Sequence, residues 1–426
     1  MRNTLPILCV LLALASGCSS SSNTDTSNHP PMASSALTRD TSPNVSSEDL
    51  AALRDGNTAF AADLYATLRN DPSFANKNLF FSPYSISVAL AMTYAGARGQ
   101  TASELKNTMH FTLPNDQLHA AFNAVDLSLS SRRAATNGQV PLTLNVANSM
   151  WGAPQTTFEQ PFLDTLAVDY GTGVYLTDFA KDPEAARTTI NDWVANKTND
   201  KIQNLLRQGT ITALTRFVLV NAVYFNGDWS SPFSPHATTA GTFHGVNGDG
   251  TAQMMMQYSE FLYGEGTGWR GVKLPYNGGL VFTAILPDDF TTFESSLDVA
   301  TLANIDSSFT NAQVNLTMPK FEIKGDTFSL ASALKTLGTT TLFGEADLSG
   351  MSTSESLSVG DVLHQAFVRV DEKGTEAAAA TVVIGIGSSA PPELQEVTLT
   401  IDKPFVFFIR DNATGTILFQ GRYVGD

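Results

Sequence analysis

Positive charge is scarce in this chain: 25 Lys and Arg stand against 41 Asp and Glu, a net charge of −16. Affinity for a phosphate backbone comes mostly from clustered Lys and Arg, so that balance argues against a nucleic-acid partner and describes a solvated acidic surface. Cysteine is nearly absent, with Cys9 and Cys18 the only two, which leaves no disulfide framework to expect. There is no Gly-x-Ser-x-Gly elbow, no His-Glu-x-x-His helix and no P-loop, so the hydrolase, zinc-protease and nucleotide readings have no motif to stand on. The six histidines are scattered, none with a partner at ligand spacing, and no metal or cofactor is expected. Met254–Met255–Met256 reads as sheet packing. Gly264–Glu265–Gly266–Thr267–Gly268, with no helix pattern after it, reads as a turn. No internal repeat is present.

What the chain does have is apolar residue, 42% over 426 residues, enough to bury a large core. Length alone suggests two or three domains. From residue 48 to 426, however, no Pro/Gly/Ser-rich break interrupts the pattern, which predicts one large domain. Phe60, Leu64 and Leu68 recur every four residues and predict a first helix at about 48–69, ended by Asp71–Pro72. Ser82 before Pro83 predicts a second, since the hydroxyl can cap a free N–H and proline at the first helical position loses no needed donor. Thr101–Ala102–Ser103–Glu104 has the spacing of a capping box and predicts a helix after Gly99. Ile190, Trp193, Val194 and Ile202 suggest another between strands.

The most informative segment is Gly374–Thr375–Glu376–Ala377–Ala378–Ala379–Ala380–Thr381. Alanine favours helix, but the segment lies between the β-type runs His364–Val370 and Val397–Ile409. Extended, it would put Thr375, Ala377, Ala379 and Thr381 on one small, uncharged face and Glu376 on the other. It resembles the hinge of inhibitory serpins, the family that traps serine proteases by inserting a reactive loop into a β-sheet. Asp402–Lys403–Pro404–Phe405–Val406–Phe407 resembles the family's C-terminal signature. Asn78–Met92, Asn221–Trp229, Val272–Tyr276, Met318–Phe321 and Gly421–Val424 extend the resemblance over nearly the whole of 48–426.

The resemblance implies an α+β serpin fold: one large domain with three β-sheets, eight to nine helices and an exposed reactive-centre loop at about 372–393. It implies an inhibitor rather than an enzyme, a monomer, and serine proteases as partners, with papain-like cysteine proteases included through the shared acyl intermediate. Ser82, Ser85, Asn221 and His364 match the polar cluster beneath the point where the main sheet opens, and Lys320 and Glu372 match a charge pair at the loop's base, near Trp229. Family spacing from Glu372, and Pro391–Pro392–Glu393 as a second anchor, put the bait bond at Ser388–Ser389, with a cut after Ile386 or Gly387 as the alternative register. A small bait residue suits elastase-like or subtilisin-like pockets and offers no positive charge to a trypsin-like one. Thr375 is expected to face the sheet interior once the loop enters. The other functional reading is a non-inhibitory binding or chaperone-like module; the uniformly small hinge face argues against it.

The N-terminus reads as an export signal: Met1–Arg2, an apolar stretch from Leu5 to Leu14 too short to span a membrane, and Ala15–Ser16–Gly17–Cys18 as a small-residue cleavage site. It resembles a bacterial lipoprotein signal at 1–17, with Cys18 acylated. An ordinary secretory signal is the alternative. The acylated reading implies a protein held on the membrane through its lipid, periplasmic or at the cell surface. Residues 18–47, rich in Ser, Thr, Asn and Pro, are expected to form a flexible tether.

Overall fold

Ser46 opens the first helix: its hydroxyl accepts the Asp49 N–H, and the helix Ser47–Arg69 buries Phe60, Leu64 and Leu68. Ser82 caps the helix Pro83–Gly96 by accepting the Ser85 N–H. The capping box at Thr101–Glu104 is not one. The helix Gly99–Thr108 begins earlier, with Arg98 at its cap position, and Thr101 lies inside it. The Glu104 carboxylate instead accepts the N–H groups of Thr340 and Thr341, both at 2.8 Å, and so caps the short helical turn Thr341–Phe343 far along the chain. Burial raises its pKa, but those bonds and one from Gln100 outweigh it and bring the carboxyl down to about 2.

The computed structural model describes residues 30–132, 143–375 and 394–425. Nine α-helices are present among them. The three expected sheets appear as two hydrogen-bonded ladders, one of eight strands and one of nine. The cause is the strand Gly248–Gly266, 19 residues long. It pairs in turn with Thr239–Gly245, Thr310–Pro319 and Trp269–Pro275, so pairing runs unbroken through what would otherwise be two sheets.

The eight-stranded main sheet has at its centre two parallel strands, Phe217–Asp228 and Val362–Val370. Side chains alternate across a strand. Leu219, Val223 and Phe225 therefore join the principal core, while Val218, Val220 and Ala222 join a second layer with Ile190 and Val194 of the helix Pro183–Lys197.

The expectation of a flexible tether fails for residues 30–46. Met32 and Ala33 pair with Tyr175 and Val174 at the edge of the main sheet. Arg39 donates to Asn123 at 2.8 Å and to Asp126 at 2.7 Å, and the Asp40 N–H donates to Val168 O at 2.9 Å. The segment buries little apolar surface, the only criterion its composition offered. Backbone pairing and one arginine hold it instead.

Candidate functional site

The seam between the two central strands is the candidate site. From Val362↔Leu219 to Phe367↔Tyr224 they pair directly over six residues. Above that, the hinge residues Gly374 and Thr375 lie between them, antiparallel to both: Gly374↔Asp228 and Thr375↔Gly227 on one side, Thr375↔Val370 on the other. Only glycine fits at 374, because a Cβ there would lie 2.1 Å from the Gly227 carbonyl oxygen. Thr375 is fully buried, its hydroxyl 2.7 Å from Tyr276 Oη. The structure corrects the sequence expectation here: Thr375 already faces the interior in the intact chain, since a glycine before it and a small side chain let the seam start open.

The chain around this point is held tightly. Tyr276 stacks on Trp229 with centroids 4.3 Å apart and planes at 13°. Trp229 donates from its indole to Asp371 O at 2.9 Å and from its backbone to Lys373 O at 2.8 Å. Glu372 pairs with Lys320 at 2.8 Å and accepts the Thr238 hydroxyl at 2.8 Å. Burial raises the Glu372 pKa, yet the bonds from Lys320, the backbone and Thr238 prevail and hold it below the usual range. Lys320, Glu372 and Trp229 therefore form one base for the hinge.

Lower on the seam the four polar residues meet. His364 and Asn221 face each other in register, and His364 Nδ1 bonds Asn221 Oδ1. The Ser82 N–H donates to His364 Nε2 at 3.2 Å; Nε2 must accept, so Nδ1 carries the proton. Asn221 Nδ2 donates to Ser85 Oγ and to Asn148 Oδ1, both at 2.6 Å, and Ser82 Oγ donates to Leu418 O at 2.6 Å. Asn148, which the sequence reading missed, closes the cluster by donating to Ser85 O at 3.0 Å. Its signal was an amide at the third place of the alternation Leu144, Val146, Asn148, Met150 on the core side of Thr143–Gly152. The cluster clasps three strands and a helix start, and parting the seam means breaking the His364–Asn221 bond at a cost of about 1–3 kcal/mol for each buried group left unpaired.

Burial pushes His364 down to about 3. A buried imidazole kept neutral contributes stability above its unfolded pKa of about 6.5 and loses it as pH falls toward 3. By pH 5 the loss from this one group is about 2 kcal/mol. His119, lowered to about 4 by burial, acts in the same direction, and Asp169, raised to about 6 by burial and by Asp40, acts oppositely. The expected result is a melting midpoint that falls from pH 6.5 to 5 more steeply in the unmutated protein than in His364→Gln. Equal slopes would show that His364 is not the acid-sensitive element.

Glu376–Thr381, the bait residues Ser388 and Ser389, and Cys18 lie outside the described residues. Among the described residues no group of three or more His, Cys, Asp or Glu is placed to hold a metal.

Comparison with known proteins places these features. A family model, Serpin (serine protease inhibitor), matches residues 55–425. The leukocyte elastase inhibitor of Homo sapiens is 37% identical over 387 residues, 87% of this chain and 98% of that protein. An uncharacterized serpin-like protein of Thermococcus kodakarensis is 34% identical over 434 residues, 99% of this chain and 98% of its own. Among solved structures, uncleaved ovalbumin superposes with a TM-score of 0.77 at 25% identity, covering 88% of this chain and 100% of that one. The thermophilic serpin tengpin in its native state gives 0.77 at 25%, covering 92% and 98%.

Proposed function

The chain belongs to the serpin family, and on that premise we propose that it inhibits serine proteases by suicide trapping, with elastase-like and subtilisin-like enzymes as targets and papain-like cysteine proteases open to the same chemistry. One observation carries the reading: the hinge is already seated between the strands that must part, in a register that can continue. Extending the observed pairs downward would set Ala377 opposite Phe225 and Val368, and Ala379 opposite Val223 and Ala366. Thr381 would fall between Asn221 and His364, the clasp residues, where its hydroxyl could take up the hydrogen bonds that opening breaks. On the outer face Val382 and Ile384 would lie beside Val220 and Val218, in the layer under Pro183–Lys197. Beyond the Val362↔Leu219 pair, where the strand Val362–Val370 begins, a cavity of about 510 Å³ is lined by Ile211, Leu214, Val218, Gly360 and Leu363.

In the proposed reaction the loop is cut first and enters the sheet afterwards. The protease serine attacks the Ser388 carbonyl carbon, the Ser388–Ser389 amide breaks, the Ser389 nitrogen takes a proton, and Ser388 is left as an ester on the protease. Gly374–Ser388, 15 residues, can then extend for roughly 50 Å as a strand. Insertion replaces one parallel ladder with two antiparallel ones, and antiparallel pairing is the slightly stronger. The protease is carried along while still acylated.

Mixed with pancreatic elastase or subtilisin, the chain from residue 19 onward is expected to give a complex stable in SDS and a released peptide beginning at Ser389. The fragment begins there because residues 30–46 are part of the folded body. A loop that is cut while every protease stays active would favour the binding-module reading.

The same proposal makes Cys18 the acylated N-terminus of an exported protein, periplasmic or at the cell surface. Its support is the sequence pattern at 1–18. Cys18→Ser is expected to move the protein out of the membrane fraction and leave inhibition intact; an unmutated protein that carries no lipid mass and is recovered soluble would remove the anchor from the proposal.

A further inference from the structure

At the edge of the main sheet opposite Met32 and Ala33, the strand Phe321–Lys324 pairs with Val362–Val370 alone among the described residues. After Lys324 the chain leaves the sheet for residues 325–327 and returns at Phe328–Ser329 to the same partner strand. Gln365 holds this excursion: its Nε2 donates to Gly325 O at 2.9 Å and its Oε1 accepts the Thr327 hydroxyl at 3.1 Å. Buried Arg422 fixes a second segment by donating from Nε to Lys77 O at 3.1 Å and from Nη2 to Phe74 O at 2.6 Å. The two segments face each other across a cleft of about 450 Å³, within the size range of small-molecule sites. Buried Phe80 lines it from the core. Half-buried Phe74 and Phe328 meet in it edge to face, with centroids 5.1 Å apart and planes at 84°. Phe328 in turn packs edge-on against His364, centroids 5.4 Å apart, so the cleft shares a wall with the clasp.

We propose that this cleft binds a small amphipathic anion, a free carboxylate carried on a planar aromatic body. Charge and shape together select that class. Lys77, Arg207 and Lys324 line the cleft against Glu322 and Asp326, a local excess of positive charge in a chain of net charge −16. Lys77 and Lys324 make no ion pair among the described residues. Arg207 stands 4.0 Å from Asp326, with side chains 70% and 98% exposed; water screens such a pair, and the guanidinium fork stays open to a bidentate carboxylate. The two phenylalanines at right angles form a corner that a flat ring can fill, stacked on one and edge-on to the other, both favoured aromatic geometries. Because Gln365 and Arg422 already hold the two walls, little ordering remains to oppose binding. None of these residues belongs to the hinge, and the site does not depend on protease inhibition.

The probe is naphthoate, titrated calorimetrically into the full chain beside its neutral counterpart naphthalenemethanol and beside acetate. Naphthoate is expected to bind with a dissociation constant on the order of 1 mM or tighter, and the other two at least about tenfold more weakly. The double variant Arg207→Gln, Lys324→Gln changes two exposed positions and should weaken naphthoate binding about tenfold or more, as loss of charge-assisted bonds does. Asp326→Asn removes the competing carboxylate and should tighten it about threefold. Naphthalenemethanol bound as tightly as naphthoate would make the cleft a merely apolar one, and acetate bound as tightly would leave the aromatic corner without a role; either result overturns the proposal. An unchanged affinity in the double variant would place naphthoate elsewhere on the protein and overturn it too, as would the absence of binding by the unmutated chain.

Discussion

The Ala377→Arg variant is expected to be cut by its target protease and then to release it active. Continued from Gly374 and Thr375, the register brings position 377 opposite Phe225 and Val368, both buried in the principal core. A guanidinium there has no counter-charge, and its burial costs on the order of several kcal/mol, enough to slow insertion by about a hundredfold or more. Deacylation then finishes first. Thr375→Arg is the poorer test: Thr375 is already buried and bonded to Tyr276, so that substitution would damage the intact fold as well. Ala377→Arg spares the described hinge pairs and separates the two effects. In that continued register Glu376 would fall on the other face, level with half-exposed Asn226, and Glu376→Arg should keep near-normal stoichiometry. The measurement is the yield of SDS-stable complex against cleaved loop. If Ala377→Arg traps protease as fully as the unmutated chain, the inserting face has been assigned wrongly.

That substitution could be chosen partly from sequence, and the limits of the choice are instructive. The first helix at about 48–69, the helix start at Ser82, the inward face of Thr375 and the single large domain were readable because each is written in local spacing. The polar cluster was readable only through family resemblance, and even then incompletely. Asn148 belongs to it because Thr143–Gly152 pairs in register with Phe217–Asp228, setting Asn148 opposite Asn221, and no local pattern reveals a register between strands so far apart. Glu104 was misread for a similar reason. Its spacing to Thr101 mimics a capping box, while its actual partners lie more than 200 residues later. Residues 30–46 looked like linker because composition measures what a segment can bury by itself. It does not register an open sheet edge at Val174–Leu176 ready to accept backbone bonds. Thr375 was placed on the right face at the wrong time, since a period-2 pattern specifies orientation but not how far a strand has already entered.

How far it has still to go sets the last expectation: once its loop is cut, the unmutated protein should melt well above the intact form. Intact, the seam holds six directly paired residues, and among the described residues two of the hinge, Gly374 and Thr375, are inserted. After cutting, the register would take Val382, Val383 and Ile384 into contact with Val220, Leu219 and Val218, all buried. Each such side chain contributes about 1.5–3 kcal/mol on burial. At about 2 °C per kcal/mol in a domain of this size, those three alone would raise the midpoint on the order of 10 °C. The ladder bonds on both sides of the new strand would add to this, and the clasp would not be left unsatisfied, because the continued register would bring Thr381 to Asn221 and His364. The check is a thermal scan of protein nicked in the loop by a protease it does not trap, run beside the intact protein and beside nicked Ala377→Arg. The nicked variant should gain little, because its loop is cut but cannot enter. Equal midpoints for nicked and intact unmutated protein would mean that the intact fold holds no more stable state in reserve, and a trap powered by insertion would then have no driving force.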